Sequence, residues 1–184
     1  MPEFPERIKL ERGELRLVIS SEKIAERVEA LGGMISEAHP AGDLTVIGVL
    51  KGGVNFMADL IRTITVPMNI DFVRLARYGD ETESSREVRI TKDIEIDIRG
   101  RDVIVVDDIY DTGMTLRFLV DRLSTLGAKS VKVCVLINKK ERRTESFEAD
   151  YRGFEVGEGF VVGYGLDYKE GYRNLPGIYM LHED

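Results

Sequence analysis

Residues 103–116 read VIVVDDIYDTGMTL. Val103 to Val106 and Ile109 are apolar and β-branched, the composition of a strand buried on both faces. Three acids, Asp107, Asp108 and Asp111, fall at the end of that run, and Thr112-Gly113 follows at once. Beyond the turn, Leu116, Leu119, Val120, Leu123 and Leu126 recur at helical spacing, and Gly127 is placed to end the helix. A buried strand, a polar turn and an amphipathic helix in this order form half of a βαβ unit. The stretch therefore decides the fold class and raises a chemical question, because acids are costly at the end of a buried strand.

The rest of the chain repeats the alternation. LTVIGVL at 44–50 is a second near-continuous apolar run, followed by Lys51-Gly52-Gly53 and a helical pattern through Val54, Met57, Leu60 and Ile61. MNIDFVRL at 68–75 and VKVCVLI at 131–137 read as further strands. Upstream, LRLVI at 15–19 is a short strand, and Ser20 or Ser21 caps a helix whose inner face is Ile24, Val28, Leu31 and Ile35. Gly32-Gly33 is expected to weaken the end of that helix. Residues 76–87, ARYGDETESSRE, are polar and aperiodic and read as a long loop, and VRITKDIEIDI as one or two short strands with Ile94, Ile96 and Ile98 on one side. From about Tyr151 the pattern breaks into short strands and turns. The sum is one α/β domain over residues 1–184, with a largely parallel central sheet flanked by helices. In such sheets ligands bind beyond the carboxyl ends of the strands, which is where the acids fall.

Composition bounds the function classes. The chain has 184 residues, of which 43% are apolar, enough for a core. A net charge of −7 argues against a general nucleic-acid binder, although one local anion pocket can still hold a small phosphorylated ligand. No apolar run approaches the roughly 18 residues that span a bilayer, and the charged start MPEFPERIKLERGE carries no apolar signal segment. A cytoplasmic location is expected. One cysteine, Cys134, inside an apolar run, reads as core filler, and with only two histidines in the chain, His39 and His182, no zinc site is expected.

The turn DTGMT fits a monophosphate. Gly113 allows close approach of the backbone, Thr112 and Thr115 bring hydroxyls, and the first amides of a helix favour an anion. Asp107 and Asp108 would repel that anion, so they suit sugar hydroxyls or a divalent cation nearby. A lone acidic pair reads equally well as a solvated strand end, or as a Mg²⁺ chelate of the receiver-domain kind. The ordered set is more specific: four apolar residues, two acids, two residues, Asp-Thr-Gly, one residue, Thr. It resembles the phosphoribosyl pyrophosphate (PRPP) signature of the type I phosphoribosyltransferases. There is no Walker A loop and no GxGxxG fingerprint. VLKGG at 49–53, INKKERR at 137–143, FVVGYGLDY at 160–168 and KEGYRNL at 169–175 extend the likeness, from about residue 10 to 181, to the hypoxanthine-guanine phosphoribosyltransferase family.

The resemblance implies a type I phosphoribosyltransferase fold with a small hood built from the chain termini. It implies purine salvage: transfer of a 5-phosphoribosyl group from PRPP to N9 of a 6-oxopurine. Asp107 and Asp108 are then expected at the ribose hydroxyls and Mg²⁺. Asp111, Thr112, Gly113, Met114 (through its backbone) and Thr115 are expected around the 5′-phosphate. Lys51, Gly52 and Arg173 go with pyrophosphate, and the Leu50–Lys51 peptide is expected to be cis. Lys139 donates to the purine 6-oxo group, Phe160 stacks on the base and Val161 reads its edge. Asp167 belongs beside the base and to a second Mg²⁺ site. Asp111 doubles as the catalytic group, taking a purine ring proton. A mobile lid is expected at about 76–87, bearing Tyr78, with Arg77 departing from the family's usual serine. The partners implied are PRPP and a 6-oxopurine base, with no nucleic acid and no membrane, in a homodimer or homotetramer.

Plain alternatives stand beside these. Lys51 also reads as a solvated turn lysine and Arg173 as a surface partner of Glu170. Phe160 and Val161 read equally as strand core, and the residues alone do not choose between Lys139 and Lys140. A PRPP-sensing regulator on the same fold, or an enzyme for another base such as xanthine, is the rival function.

Overall fold

A computed structural model of the chain describes residues 4–78, 87–141, 143–144 and 146–182. In chain order the elements are β1 (Arg7–Lys9), β2 (Glu14–Ile19), α1 (Ser21–Ala38), β3 (Leu44–Leu50), α2 (Val54–Thr63), β4 (Met68–Tyr78), β5 (Glu87–Lys92), β6 (Asp102–Tyr110), α3 (Met114–Thr125), β7 (Ser130–Asn138), β8 (Tyr151–Glu155), β9 (Phe160–Val162) and β10 (Ile178–His182). Six strands form one sheet in the order β5-β4-β3-β6-β7-β8. All of its pairings are parallel except β4 with β5. The outer strands of the chain, β1-β2-β10-β9, form a second, four-stranded sheet, the expected hood.

The apolar runs explain the layering. Alternate residues of a strand face opposite sides. Val46, Ile104, Val106, Cys134 and Leu136 pack with Ile24, Val28, Leu31 and Ile35 of α1 and Phe56, Met57 and Leu60 of α2. Ile47, Val49, Val103, Val105, Val133 and Val135 pack with Leu116, Leu119 and Leu123 of α3. Cys134 is fully buried, and burial pushes its thiol pKa up, as befits core filler. Val54 and Leu126, expected on inner helix faces, are instead exposed at 39% and 37%. Each stands at or just past a helix end, where the apolar stripe runs out over solvent.

Three further expectations change. The helix capped by Ser20, whose hydroxyl accepts from the Lys23 amide, runs through Gly32-Gly33 to Ala38. Gly32 is there because α2 presses on it: a β-carbon would lie 2.0 Å from Oγ1 of Thr63. Residues 76–78 extend β4, paired with β5 from Glu87, so the aperiodic stretch is shorter than 76–87. Residues 79–86, the body of the expected lid, and the side chains of Arg77 and Tyr78 lie outside the described residues. Finally, residues 93–101 are not strand. The carboxylate of Asp71 accepts the amides of Glu95 (2.6 Å) and Ile96 (3.2 Å), which ties this segment to β4 as an irregular strap.

The strand order places the site. After β3 the chain adds β4 and β5 on one side, then returns to lay β6 and β7 on the other. The switch point lies between the carboxyl ends of β3 and β6, where the loops must part and a crevice opens.

Candidate active site

At that switch point the segment Lys51-Gly52 meets Asp107 and Asp108. The Leu50–Lys51 peptide is cis. Gly52 packs so tightly that a β-carbon would lie 1.9 Å from Oδ2 of Asp108, and one on Gly53 3.4 Å from Cα of Asp107. Only glycines let the two strand ends approach this closely. Asp107 and Asp108 are both 8% exposed. Burial pushes the Asp108 carboxyl up, against the lowering effects of hydrogen bonding with Asp107 and the charge of Arg173.

Past β6 the chain turns into α3 through Gly113, which has φ 90° and caps the helix without a side chain. A β-branched or bulky residue would resist that left-handed conformation. The first intrahelical hydrogen bond runs from Arg117 N to Gly113 O, so the amides of Met114, Thr115 and Leu116 precede it. No acid stands in the first turn of α3, which leaves its positive end uncompensated from within. Thr112 is 9% exposed, and its Oγ1 has no hydrogen-bond partner among the described residues. Such a buried orphan hydroxyl costs stability unless a ligand or water completes it.

A cavity of about 530 Å³ opens over this turn. Of the residues singled out from sequence, it brings together Asp107, Asp108, Asp111, Thr112, Gly113, Thr115, Lys139, Phe160, Val161 and Asp167. Lys139, at the end of β7, is 8% exposed, and its Nζ donates to the carbonyl of Gly159 across the cavity. Lys140 points elsewhere, pairing with Glu155 at 3.0 Å, so the geometry separates the two lysines. Phe160 is half exposed, and its ring meets Tyr168 edge-on at 5.7 Å. Val161 is buried in the hood strand beside it.

Met114, Lys51, Gly52 and Arg173 do not line the cavity. Met114 contributes its backbone to the start of α3. Lys51 and Arg173 stand at its border in a charged chain: Lys51 Nζ lies 2.9 Å from Glu170, Glu170 lies 3.3 Å from Arg173 Nη2, and Arg173 Nη2 lies 2.7 Å from Asp167. Arg173 is fixed further by donating to the carbonyl of Gly165 at 2.8 Å. Sequence reading did not assign six of the lining residues to the site: Ile109, Tyr110, Leu116, Glu141, Gly159 and Leu166. Glu141 lies within INKKERR and carried a signal; Gly159 carried none, since its part is played by a carbonyl.

Among the described residues no three acids, histidines or cysteines converge as a ready-made metal cage. Two adjacent buried carboxylates with a third across the cavity suit Mg²⁺, which keeps several waters and takes one or two carboxylates together with substrate phosphates. The donor set therefore fits a cation that arrives with an anionic substrate.

The chain matches the phosphoribosyl transferase domain family over residues 20–169. It is 44% identical over 166 residues to the hypoxanthine-guanine phosphoribosyltransferase of Bacillus subtilis, covering 90% of this chain and 92% of that protein. It is 41% identical over 170 residues to the enzyme of the same name from Aquifex aeolicus, covering 92% and 96%. Among solved structures, a hypoxanthine-guanine phosphoribosyltransferase from Bacillus anthracis superposes with a TM-score of 0.86 at 42% identity, covering 90% of this chain and 98% of the other.

Proposed function

The chain belongs to the phosphoribosyltransferase family, and from that membership we infer how its cavity works. The protein is a hypoxanthine-guanine phosphoribosyltransferase, a transferase of purine salvage that uses PRPP as donor. The observation that carries the assignment of residues is the buried, unpartnered hydroxyl of Thr112 in a turn that opens α3, with Asp107 and Asp108 beside it in the same cavity.

In this reading the 5′-phosphate sits in the turn 111–115, taking the Thr112 and Thr115 hydroxyls and the leading amides of α3, including that of Met114. Asp107 and Asp108 face the ribose hydroxyls. The base lies between Phe160 and the strand ends, with Lys139 donating to its 6-oxo group and the Val161 backbone at its edge. A lysine donor suits a 6-oxopurine and not adenine, whose 6-amino group offers no acceptor there. Gly52 lets the backbone approach the pyrophosphate, and Lys51 and Arg173 bring two positive charges to it.

The C1–oxygen bond to pyrophosphate breaks as the C1–N9 bond forms. The electron pair leaves with the pyrophosphate, whose charge Lys51 and Arg173 offset. The ribosyl centre gains oxocarbenium character, which the carboxylates of Asp107 and Asp108 favour. Asp111 accepts the purine proton at N7 as N9 attacks, general-base assistance worth about 10²–10⁴-fold. Asp107, Asp108 and Asp167 are the residues to hold Mg²⁺, which when bound neutralises phosphate charge and orients the leaving group. Asp167 is paired with Arg173 at 2.7 Å, so a cation held there would share its carboxylate with the guanidinium.

No described helix is long and apolar enough to cross a membrane. A cytoplasmic location and assembly into a dimer or tetramer belong to the same proposal, the assembly open to sedimentation. The decisive experiment incubates the protein with PRPP, Mg²⁺ and each of hypoxanthine, guanine, xanthine and adenine. Nucleotide forms with hypoxanthine and guanine and not with adenine. PRPP binding without turnover of any 6-oxopurine overturns the enzyme in favour of a regulator.

A further inference from the structure

Arg143 follows Lys139 by four residues, on the segment after β7, and its side chain turns back into the protein at 10% exposure. Its Nη2 donates to two acceptors on consecutive residues, Oδ1 of Asn138 at 2.5 Å and the carbonyl of Lys139 at 2.8 Å. Its Nη1 reaches Oε1 of Glu148 at 3.2 Å. The guanidinium carbon lies over the Tyr110 ring, 3.7 Å from its centroid, a cation–π contact. Tyr110 is itself fixed: it is fully buried, stacks on Phe147 at 5.2 Å and donates its hydroxyl to the Phe147 carbonyl at 2.6 Å.

These contacts join the two halves of the cavity. Tyr110 immediately precedes Asp111, and its carbonyl accepts the Lys139 amide at 2.9 Å. One residue past Arg143, Thr144 donates its amide (3.0 Å) and its hydroxyl (3.1 Å) to the carbonyl of Thr112. The main chain that carries the phosphate turn and the main chain that carries Lys139 are thus held against each other, with Arg143 at the junction. A planar, five-donor guanidinium can span two neighbouring acceptors while its face stacks on a ring; an ammonium cannot do both.

We propose that Arg143 is a positioning residue for purine recognition: it holds the Asn138 side chain and the Lys139 main chain against Tyr110, so that the Lys139 ammonium and the Asp111 carboxylate address the same base. The inference rests on the reading of Lys139 as the donor to the 6-oxo group. Arg143 touches no substrate. It acts through where Lys139 leaves the main chain, and misplacement of a catalytic or binding group by a fraction of its length is enough to weaken an oriented hydrogen bond.

The test compares Arg143→Met, Arg143→Lys and Lys139→Ala in steady-state assays with hypoxanthine and PRPP varied separately. Methionine keeps an apolar stem on Tyr110 and loses every donor. In Arg143→Met the KM for hypoxanthine rises about tenfold, as for loss of one charge-assisted hydrogen bond, while the KM for PRPP stays within about twofold. Arg143→Lys recovers part of the loss. A hypoxanthine KM raised in Lys139→Ala and unchanged in both Arg143 variants overturns the role of Arg143. So does an equal rise of both KM values together with a lowered melting temperature, the mark of a merely structural residue. An unchanged hypoxanthine KM in Lys139→Ala instead overturns the assignment of Lys139 on which the inference rests.

Discussion

Gly52 and Asp108 occupy space that no side chain on residue 52 could share: a β-carbon there would lie 1.9 Å from Oδ2 and 2.6 Å from Cγ of the aspartate. The carboxyl is buried at the switch point and has nowhere to retreat except into the cavity. Gly52→Ala is expected to displace Asp108 and raise the KM for PRPP by about tenfold or more, with the fold intact. Kinetics and circular dichroism on the same preparation check it. A variant with native KM values would show that the carboxylate position is not critical.

Two adjacent glycines of α1 make opposite predictions. A β-carbon on Gly33 meets nothing within 4 Å, whereas one on Gly32 meets Oγ1 of Thr63 at 2.0 Å. Gly33→Ala is expected to stabilise the protein by about 0.5–1 kcal/mol through helix propensity. Gly32→Ala is expected to destabilise it by about 1–3 kcal/mol through overpacking against α2. Urea denaturation of both variants reads the sign directly, and equal shifts would refute the packing argument.

Asp111 lines the cavity with Asp107 and Asp108 and begins the turn 111–115. Asp111→Asn is expected to lower kcat by about 10²–10⁴-fold, the range of general acid–base assistance, with PRPP affinity little changed. Near-normal turnover, or a loss confined to PRPP binding, would remove Asp111 from proton transfer and leave it a phosphate contact.

Glu170 stands between Lys51 and Arg173, and its hydrogen bonds first to Lys51 and then to Arg173 hold its carboxyl below the usual range. It is therefore charged at neutral pH and partly offsets both cations assigned to pyrophosphate. Glu170→Gln is expected to tighten pyrophosphate binding by about two- to fivefold at low salt, a difference that fades as ionic strength rises because the pairs are exposed. Calorimetric titration with pyrophosphate at two salt concentrations measures it. Weaker binding at low salt would mean that Glu170 shapes the site rather than competing with the ligand.

His39 at the end of α1 is buried, with Nδ1 4.0 Å from Asp102 and no hydrogen-bond partner for Nε2 among the described residues. Burial and, after it, the positive charge of Lys132 lower its pKa, with Lys129 acting in the same sense and Asp102 opposing. The unfolded chain thus binds the proton more readily than the folded one. Stability from the neutral imidazole is present above about pH 6.5 and is lost as the pH falls toward the depressed value, by at most about 1.4 kcal/mol per pH unit. Melting curves from pH 5 to 8 should flatten in His39→Gln relative to the parent protein. Parallel curves would assign the acid sensitivity elsewhere.

Much of this architecture is legible in local pattern. Alternating runs such as Val103–Val106 and the helical spacing of Ile24, Val28, Leu31 and Ile35 report which faces are buried, because backbone period dictates side-chain direction within one element. Asp107, Asp108 and the turn after them could be placed at a binding crevice for the same reason, since they follow a buried strand. The reading of Ile94, Ile96 and Ile98 as strand failed because Asp71, more than twenty residues earlier, takes the amides that a ladder would need.

The order of buried strands and capped helices, and the run of acids, threonines and glycine between β6 and α3, were thus set by the amino-acid sequence alone, through preferences each residue expresses with its near neighbours. Which lysine faces the cavity, why Gly32 and Gly52 admit no side chain, and how Arg143 reaches both Tyr110 and Lys139 were decided only by tertiary packing. Those facts are distances between segments remote in the chain, and close packing of a folded interior, not local periodicity, is what sets them.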